Sequence, residues 1–373
     1  MKLLFVIDNL GTGGAQRQMV NLAVGLIARG HQVRVFCYSP DDKLAQPLRD
    51  VGICIDWHIK TSRYSFDVIL ALRRTIASEQ FDAILSFLTT PNFYALMAGR
   101  LTKGRTLPVI VSERFCDLPQ GQSLMERLVR QTYRLADHVI VNSYHQMDNF
   151  TEKYPFLRTH ISTIYNGYDL KTFAPPAHEP ENKPIRILCI ASVSPYKNGL
   201  CLVEALHILR QRGKGLFHVS WIGQRVMAGE RLAYLREMEA KIEQYSLGEY
   251  WHWLDQRTDI VQQLYQHDVL VHPSYGEGLP NVVCEALACG RPVILSNTLD
   301  HPRLVQDGES GYLFDWRDPA DLAEKIMLFH GLSCEERARM GRNGRRFAEA
   351  QLSMDRYVDE YERLFENLLS RKK

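Results

Sequence analysis

Glu277 and Glu285 stand eight positions apart in DVLVHPSYGEGLPNVVCEALACGRPVILS, residues 268–296. Eight residues are two helical turns plus a small angular drift. A helix opening between them sets Glu277 at its mouth and Glu285 further along nearly the same side. Gly278, Leu279, Pro280 and Asn281 lie in between. Proline suits the first turn of a helix, where its missing N–H is not needed. The free N–H groups from Asn281 onward can hold a phosphate. One short unit thus offers an anion site flanked by two acceptors for hydroxyls. That combination fits a nucleotide sugar, with its ribose, diphosphate and hexose.

Other residues have chemistry to offer. Lys197, in SVSPYKNG, follows a strand pattern. It is either a surface lysine before a helix or a point charge for a diphosphate whose negative charge grows as it departs. Gly11, Gly13 and Gly14 sit between a strand and a helix. They make either a tight turn or a loop that lets backbone approach a phosphate. Ser112, Glu113, Arg114 and Phe115 end a strand pattern and suit either a salt bridge or an acceptor contact. The thirteen histidines show no metal-ligand spacing, and no Asp-x-Asp occurs. Eight cysteines without a C-x-x-C pair read as reduced core thiols of a cytosolic protein.

The elements that must position these groups alternate between strand and helix throughout, the pattern of parallel α/β sheets. Strands are expected at 3–7, 32–38, 53–57, 82–86, 108–112, 138–141 and 161–165, then at 185–191, 217–222, 250–253, 268–272 and 292–296. Helices fall near 14–29, 65–79, 91–101, 122–135 and 143–151, and a long helical pattern runs from 334 to 371 with a break at Leu352–Ser353. Residues 174–184, APPAHEPENKP, read as a linker. The expected division is therefore 1–177 and 178–354. In such sheets ligands bind at the carboxyl ends of the strands, where every residue singled out above falls.

With 373 residues, 45% hydrophobic and 24% charged, the chain is an ordinary soluble composition with room for two domains. No apolar run approaches the roughly 20 residues of a membrane span, and the five apolar residues before Asp8 read as a buried first strand rather than a leader. Net charge is +2 but uneven: +5 over residues 1–175 and −3 over the remainder. The basic half includes Arg100, Lys103, Arg105, Arg114, Arg127, Arg130 and Arg134. Spacings of three and four would gather Arg127, Arg130 and Arg134 on one helix face. That face is either a solvated surface or a contact for anionic lipid headgroups. Nucleic acid is not an expected partner.

The 268–296 segment resembles the E-x7-E signature of retaining glycosyltransferases of family 4, which have the GT-B fold. VIDNLGTGGAQRQMVNLAVGLIARGHQVRVF, IYNGYDLKTF, ILCIASVSPYKNG and DGESGYLFDWRDPADLAEKI resemble further parts of the same family, so the likeness spans most of the chain. It implies an α/β GT-B architecture of two doubly wound, Rossmann-like domains facing each other across a cleft, with a final helix at about 355–373 packing back on the first. It implies Glu277 on the donor hexose, Glu285 on the ribose, and Asn281 with the amides after it on phosphate. Lys197, Gly13 and Gly14 would meet the diphosphate, and Gly223 and the Leu254–Arg257 stretch, Arg257 included, the nucleobase. Glu113 and Arg114 would lie on the acceptor side. The chain departs from the family at two points: Ser192 replaces an arginine expected near Lys197, and Ser112-Glu113-Arg114 replaces a histidine. Arg17, Arg114 or Arg225 are candidates to compensate for the first.

The expected activity is transfer of a hexose or N-acetylhexosamine from a UDP-linked donor to a cell-surface glycan or lipid-linked saccharide. It would need no metal or other cofactor and would occur at the cytosolic face of the membrane. A nucleotide-sugar epimerase of the same fold and a non-catalytic partner subunit are the alternatives.

Overall fold

The computed structural model describes residues 1–62, 65–102, 107–114, 123–176, 184–213, 217–225 and 228–371. Lys103, Arg105, Phe115, Cys116 and residues 177–183 of the linker lie outside them. The chain forms two compact units, Met1–Gly167 with Met354–Lys373, and Tyr168–Ser353.

The first unit is built on seven strands: β1 (Lys2–Ile7), β2 (Gln32–Cys37), β3 (Cys54–Trp57), β4 (Ala83–Phe87), β5 (Val109–Glu113), β6 (His138–Val141) and β7 (Ile161–Thr163). They pair in parallel in the order β3-β2-β1-β4-β5-β6-β7. The unbroken apolar run of β1 follows from burial on both faces. Leu3, Phe5 and Ile7 enter one core, while Leu4 and Val6 enter the other. This is the two-residue alternation of a strand. The helix Met354–Ser370 closes the first core with Tyr357, Val358, Tyr361 and Phe365, one helical stripe. Gln18 clamps the end of the segment, donating to Gly167 O and accepting from Gly167 N, each at 3.1 Å.

The second unit carries β8 (Ile185–Ile190), β9 (Phe217–Ile222), β10 (Trp251–Leu254), β11 (Val269–His272), β12 (Val293–Ser296) and β13 (Tyr312–Phe314). Their order is β10-β9-β8-β11-β12-β13, again parallel. In both sheets the order reverses beside the first strand. A crevice therefore opens between β1 and β4, and between β8 and β11, where doubly wound sheets hold ligands. The division at Gly167–Tyr168 falls before the proline-rich linker, because Tyr168–Pro175 is tied to the second unit. Tyr168 N donates to Leu352 O at 2.9 Å, and Arg345 donates to Phe173 O at 2.6 Å and Leu170 O at 3.2 Å.

Two expectations need correction. Strand β13 has no counterpart in the sequence reading; it is three residues long between Gly311 and Asp315. The basic helix face also dissolves. The helix is Leu124–Gln131, and Arg134 lies beyond it in a 3-10 turn, Thr132–Leu135. Arg130 is buried against Phe150, with its Nε 3.6 Å from Glu113. Arg127 remains exposed beside the exposed Leu124, Met125 and Leu128. Among the described residues, no helix is long and apolar enough to cross a membrane.

Candidate active site

The crevice of the second unit is assembled from the loops that leave β8 and β11. After β8 the chain makes a 3-10 turn, Pro195–Lys197. Asn198 then takes left-handed backbone (φ 57°) and starts the helix Gly199–Gln211. Its side chain donates to Trp316 O at 2.8 Å, which fixes the turn. The loop after β11 is stitched to it: Tyr196 O accepts from Tyr275 N at 2.9 Å and from Ser274 Oγ at 3.1 Å.

This stitching brings Lys197 and Glu277 together across 80 positions of sequence. Lys197 Nζ lies 2.6 Å from Glu277 Oε1, with side chains 15% and 13% exposed. The last residue of β11, His272, is 1% exposed and contacts the same oxygen through Nε2. An ionised carboxylate only accepts, so Nε2 must carry the proton. Burial by itself would raise the Glu277 pKa, but Lys197 and His272 outweigh it and hold the carboxyl well below its usual range. Behind His272 stands His301, fully buried, its ring edge-to-face at 5.7 Å. His301 Nδ1 donates to Ser296 O at 2.8 Å. Burial pushes its pKa down to about 4, so it is neutral near pH 7. Among the described residues, Ser194 Oγ, His272 Nδ1 and His301 Nε2 are buried without a hydrogen-bond partner.

Gly278 and Leu279 lead from Glu277 to Pro280, which caps the helix Asn281–Ala288. Val283 N and Cys284 N both reach Pro280 O at 3.2 Å, so the amides that precede them open the helix. Asn281 Oδ1 accepts from Tyr168 Oη at 2.6 Å, which orients its side chain. Glu285 is 3% exposed on the buried side of this helix. Gly223 ends β9 at φ 156°, and a Cβ there would stand 2.1 Å from Ala191 O. Only glycine lets the ends of β8 and β9 approach this closely. Beyond it, Gln224, Arg225, Asp255 and Gln256 line a cavity of about 510 Å³. Arg257 forms a two-pronged pair with Asp259 at 2.7 Å on the exposed side.

The first unit treats its candidates differently. Gly13 caps the helix Gly14–Ala28. Gly11 N donates to Asn9 Oδ1 at 2.8 Å, and a Cβ at Gly11 would stand 2.7 Å from Asp41 Oδ2. The loop is a tight turn that packs Gly11 beside the Asp41 carboxylate. Leu88, after β4, holds a positive φ of 79°, a strained position in the crevice. Glu113 is fully buried; Tyr133 Oη donates to it, as does Thr89 Oγ1 at 3.3 Å. Arg114 is 9% exposed and donates to Asn166 Oδ1 at 2.7 Å and to Tyr361 Oη on the last helix. Both side chains are thus tied within the first unit.

The sequence reading missed His272 and His301. The available signal was a polar residue closing the apolar run DVLVH directly before the Pro-Ser pair that leads to Glu277. Among the described residues, no group of three or more His, Cys, Asp or Glu is arranged to hold a metal ion.

Known proteins resemble the whole chain. It is 25% identical to N,N'-diacetylbacillosaminyl-diphospho-undecaprenol alpha-1,3-N-acetylgalactosaminyltransferase of Campylobacter jejuni, covering 97% of this chain and 100% of that protein. It is also 25% identical to spore coat protein SA of Bacillus subtilis, over 96% and 94%. The crystal structure of Anabaena Alr3699/HepE in complex with UDP matches with a TM-score of 0.84 at 19% identity, over 98% and 100% of the two chains; the fold is thus GT-B. Residues 12–172 match Glycosyltransferase Family 4 and residues 171–347 match Glycosyl transferases group 1, so between them the two families account for both units, and the chain belongs to the family 4 glycosyltransferases.

Proposed function

We propose that this glycosyltransferase moves a hexose or N-acetylhexosamine from a UDP-linked donor to a lipid-linked saccharide or envelope glycan, with retention of configuration and without a metal. The observation that carries the proposal is the Lys197–Glu277–His272 cluster at the crevice between β8 and β11. A carboxylate kept ionised there accepts hydrogen bonds from hexose hydroxyls. A lysine beside it is a cation for the diphosphate. The amides opening the helix Asn281–Ala288 add partial positive charge. The UDP linkage is supported by the fold neighbour that holds UDP. The lipid-linked acceptor is supported by the relative whose name specifies a diphospho-undecaprenol saccharide.

The chemistry follows from these groups. The bond between the sugar C1 and the diphosphate oxygen breaks, and its electron pair leaves with the diphosphate. Lys197 stabilises the growing negative charge. The acceptor hydroxyl forms the new C1–O bond on the same face, and its proton passes to the departing phosphate oxygen. The protein supplies positioning and charge rather than a base.

A screen of UDP-, GDP- and ADP-sugars by binding and slow hydrolysis tests the donor, with the product anomer read by NMR. Membrane-extracted lipid-linked saccharide tests the acceptor. Preference for GDP- or ADP-sugars would overturn the UDP assignment, and an inverted product the stereochemistry.

A further inference from the structure

We propose that His272 is a positioning residue for this transfer: it holds Glu277 in place so that Lys197 can leave the carboxylate for the donor diphosphate. The inference rests on the donor reading above and deepens it.

Both contacts to Glu277 fall on Oε1, and among the described residues Oε2 has no partner. The two partners differ in freedom. Lys197 sits on a three-residue turn at the end of a flexible stem and keeps 15% of its side chain exposed. His272 belongs to β11, in register with Leu295 of β12, and is 1% exposed. An arriving diphosphate carries more charge than one carboxylate and competes for the mobile lysine. If Lys197 were the sole partner, its departure would leave a nearly buried carboxylate unpaired, which is strongly unfavourable. Glu277 would then swing out or take up a proton, and either change spoils an acceptor for hexose hydroxyls. With His272 in place, one charge-assisted hydrogen bond persists, and Oε2 stays free for the sugar.

His301 completes the device. Its Nδ1 is anchored to Ser296 O, and its ring fixes the face of His272 by edge-to-face packing. Because His301 is neutral, it adds no repulsion to the positive charge already gathered at Glu277.

The test uses His272→Leu, which keeps bulk and removes the donor, and His272→Gln, which keeps an N–H near the Nε2 position. Hydrolysis of the UDP-sugar found by the screen is measured in the full chain. For an interaction tighter in the transition state than in the ground state, kcat for His272→Leu should fall about 30-fold or more with donor KM within about 3-fold. His272→Gln should restore most of it. In a Glu277→Gln background, His272→Leu should add less than about a 2-fold loss, because the histidine acts through that carboxylate. A readout independent of turnover is the Glu277 carboxyl carbon in NMR, assigned by its disappearance in Glu277→Gln. Its titration midpoint should rise in His272→Leu. An unchanged kcat in a folded His272→Leu protein, an undiminished loss in the Glu277→Gln background, or an unmoved Glu277 midpoint each overturns the proposal. Absence of turnover in the wild type overturns the donor reading instead, and the titration by itself then confirms or overturns the His272–Glu277 linkage.

Discussion

Replacing Lys197 by methionine keeps the stem and removes the charge, which isolates its pairing with Glu277. At 2.6 Å the gross Coulomb attraction is about 6 kcal/mol for an effective dielectric near 20. Desolvation of both ions takes back much of this, and breaking a buried pair costs about 3–5 kcal/mol in net terms. His272 still holds Glu277 in the variant, so the loss should lie at or just below the lower end, about 2–3 kcal/mol. For a unit of this size that corresponds to a fall in Tm of about 4–12 °C. Trp221, Trp251 and Trp253 pack together in the second unit. Urea unfolding followed by tryptophan fluorescence therefore reports on the unit that contains the pair.

The loss must depend on pH with a definite sign. The folded-state pKa of Glu277 is depressed, so the pair's stabilisation is complete above the unfolded carboxyl value of about 4.3. It fades as pH falls towards the folded value. The gap between wild type and Lys197→Met should be widest near pH 7 and narrow below about pH 4. Adding Glu277→Gln to Lys197→Met should recover part of the stability, since no charge is then stranded. A variant within about 0.5 kcal/mol of wild type, the scatter of an ordinary surface change, would refute the buried pair. So would a loss that stays constant from pH 7 to well below pH 4, which would mark it as lost packing.

Gly223→Ala should destabilise the second unit by about 2–4 kcal/mol in urea unfolding, since its Cβ would stand 2.1 Å from Ala191 O and the strand ends must part. Arg130→Met should remove the cation that partly offsets the burial of Glu113, whose pKa burial already raises, and lower stability by about 1–3 kcal/mol, since the carboxyl can take up a proton. The same change should leave binding to anionic vesicles unaltered, because the guanidinium is turned inward. Lys197→Ala should lower kcat/KM by about 2–4 kcal/mol, the scale for losing one electrostatic donor at a developing anion. EDTA should leave turnover unchanged; loss restored by Mg or Mn would replace the metal-independent mechanism.

The architecture was legible because its signals are local. Apolar runs such as LLFVI and IRILCI report strands buried on both faces, and the breaks between them report helices. Strand β13 escaped because three residues carry too little periodicity to register. The division between units was read from the prolines of the linker. It is set instead by hydrogen bonds from Tyr168 and Arg345 that composition cannot reveal. The arginines at 127, 130 and 134 show the same limit. Their spacing suggests one face, but the helix ends between the second and third, and the second turns inward to Glu113.

At the site, Glu277 and Lys197 were each readable from their motifs, whereas their pairing and the histidine behind them were not. The pairing depends on strand order. Lys197 follows the first strand of its sheet and Glu277 the fourth, and only the reversal of order between β8 and β11 makes those ends neighbours. His272 depends on a turn. Five positions separate it from Glu277, a spacing that matches neither helix nor strand, and the bend at Tyr275-Gly276 folds the carboxylate back onto the strand end. A histidine closing a buried strand is easily taken for a tolerated core residue. What distinguishes this one is that, among the described residues, the only hydrogen bond of its side chain goes to a carboxylate that a lysine also contacts. On the proposal made above, that competition would leave the imidazole to hold Glu277 when the lysine turns to the diphosphate.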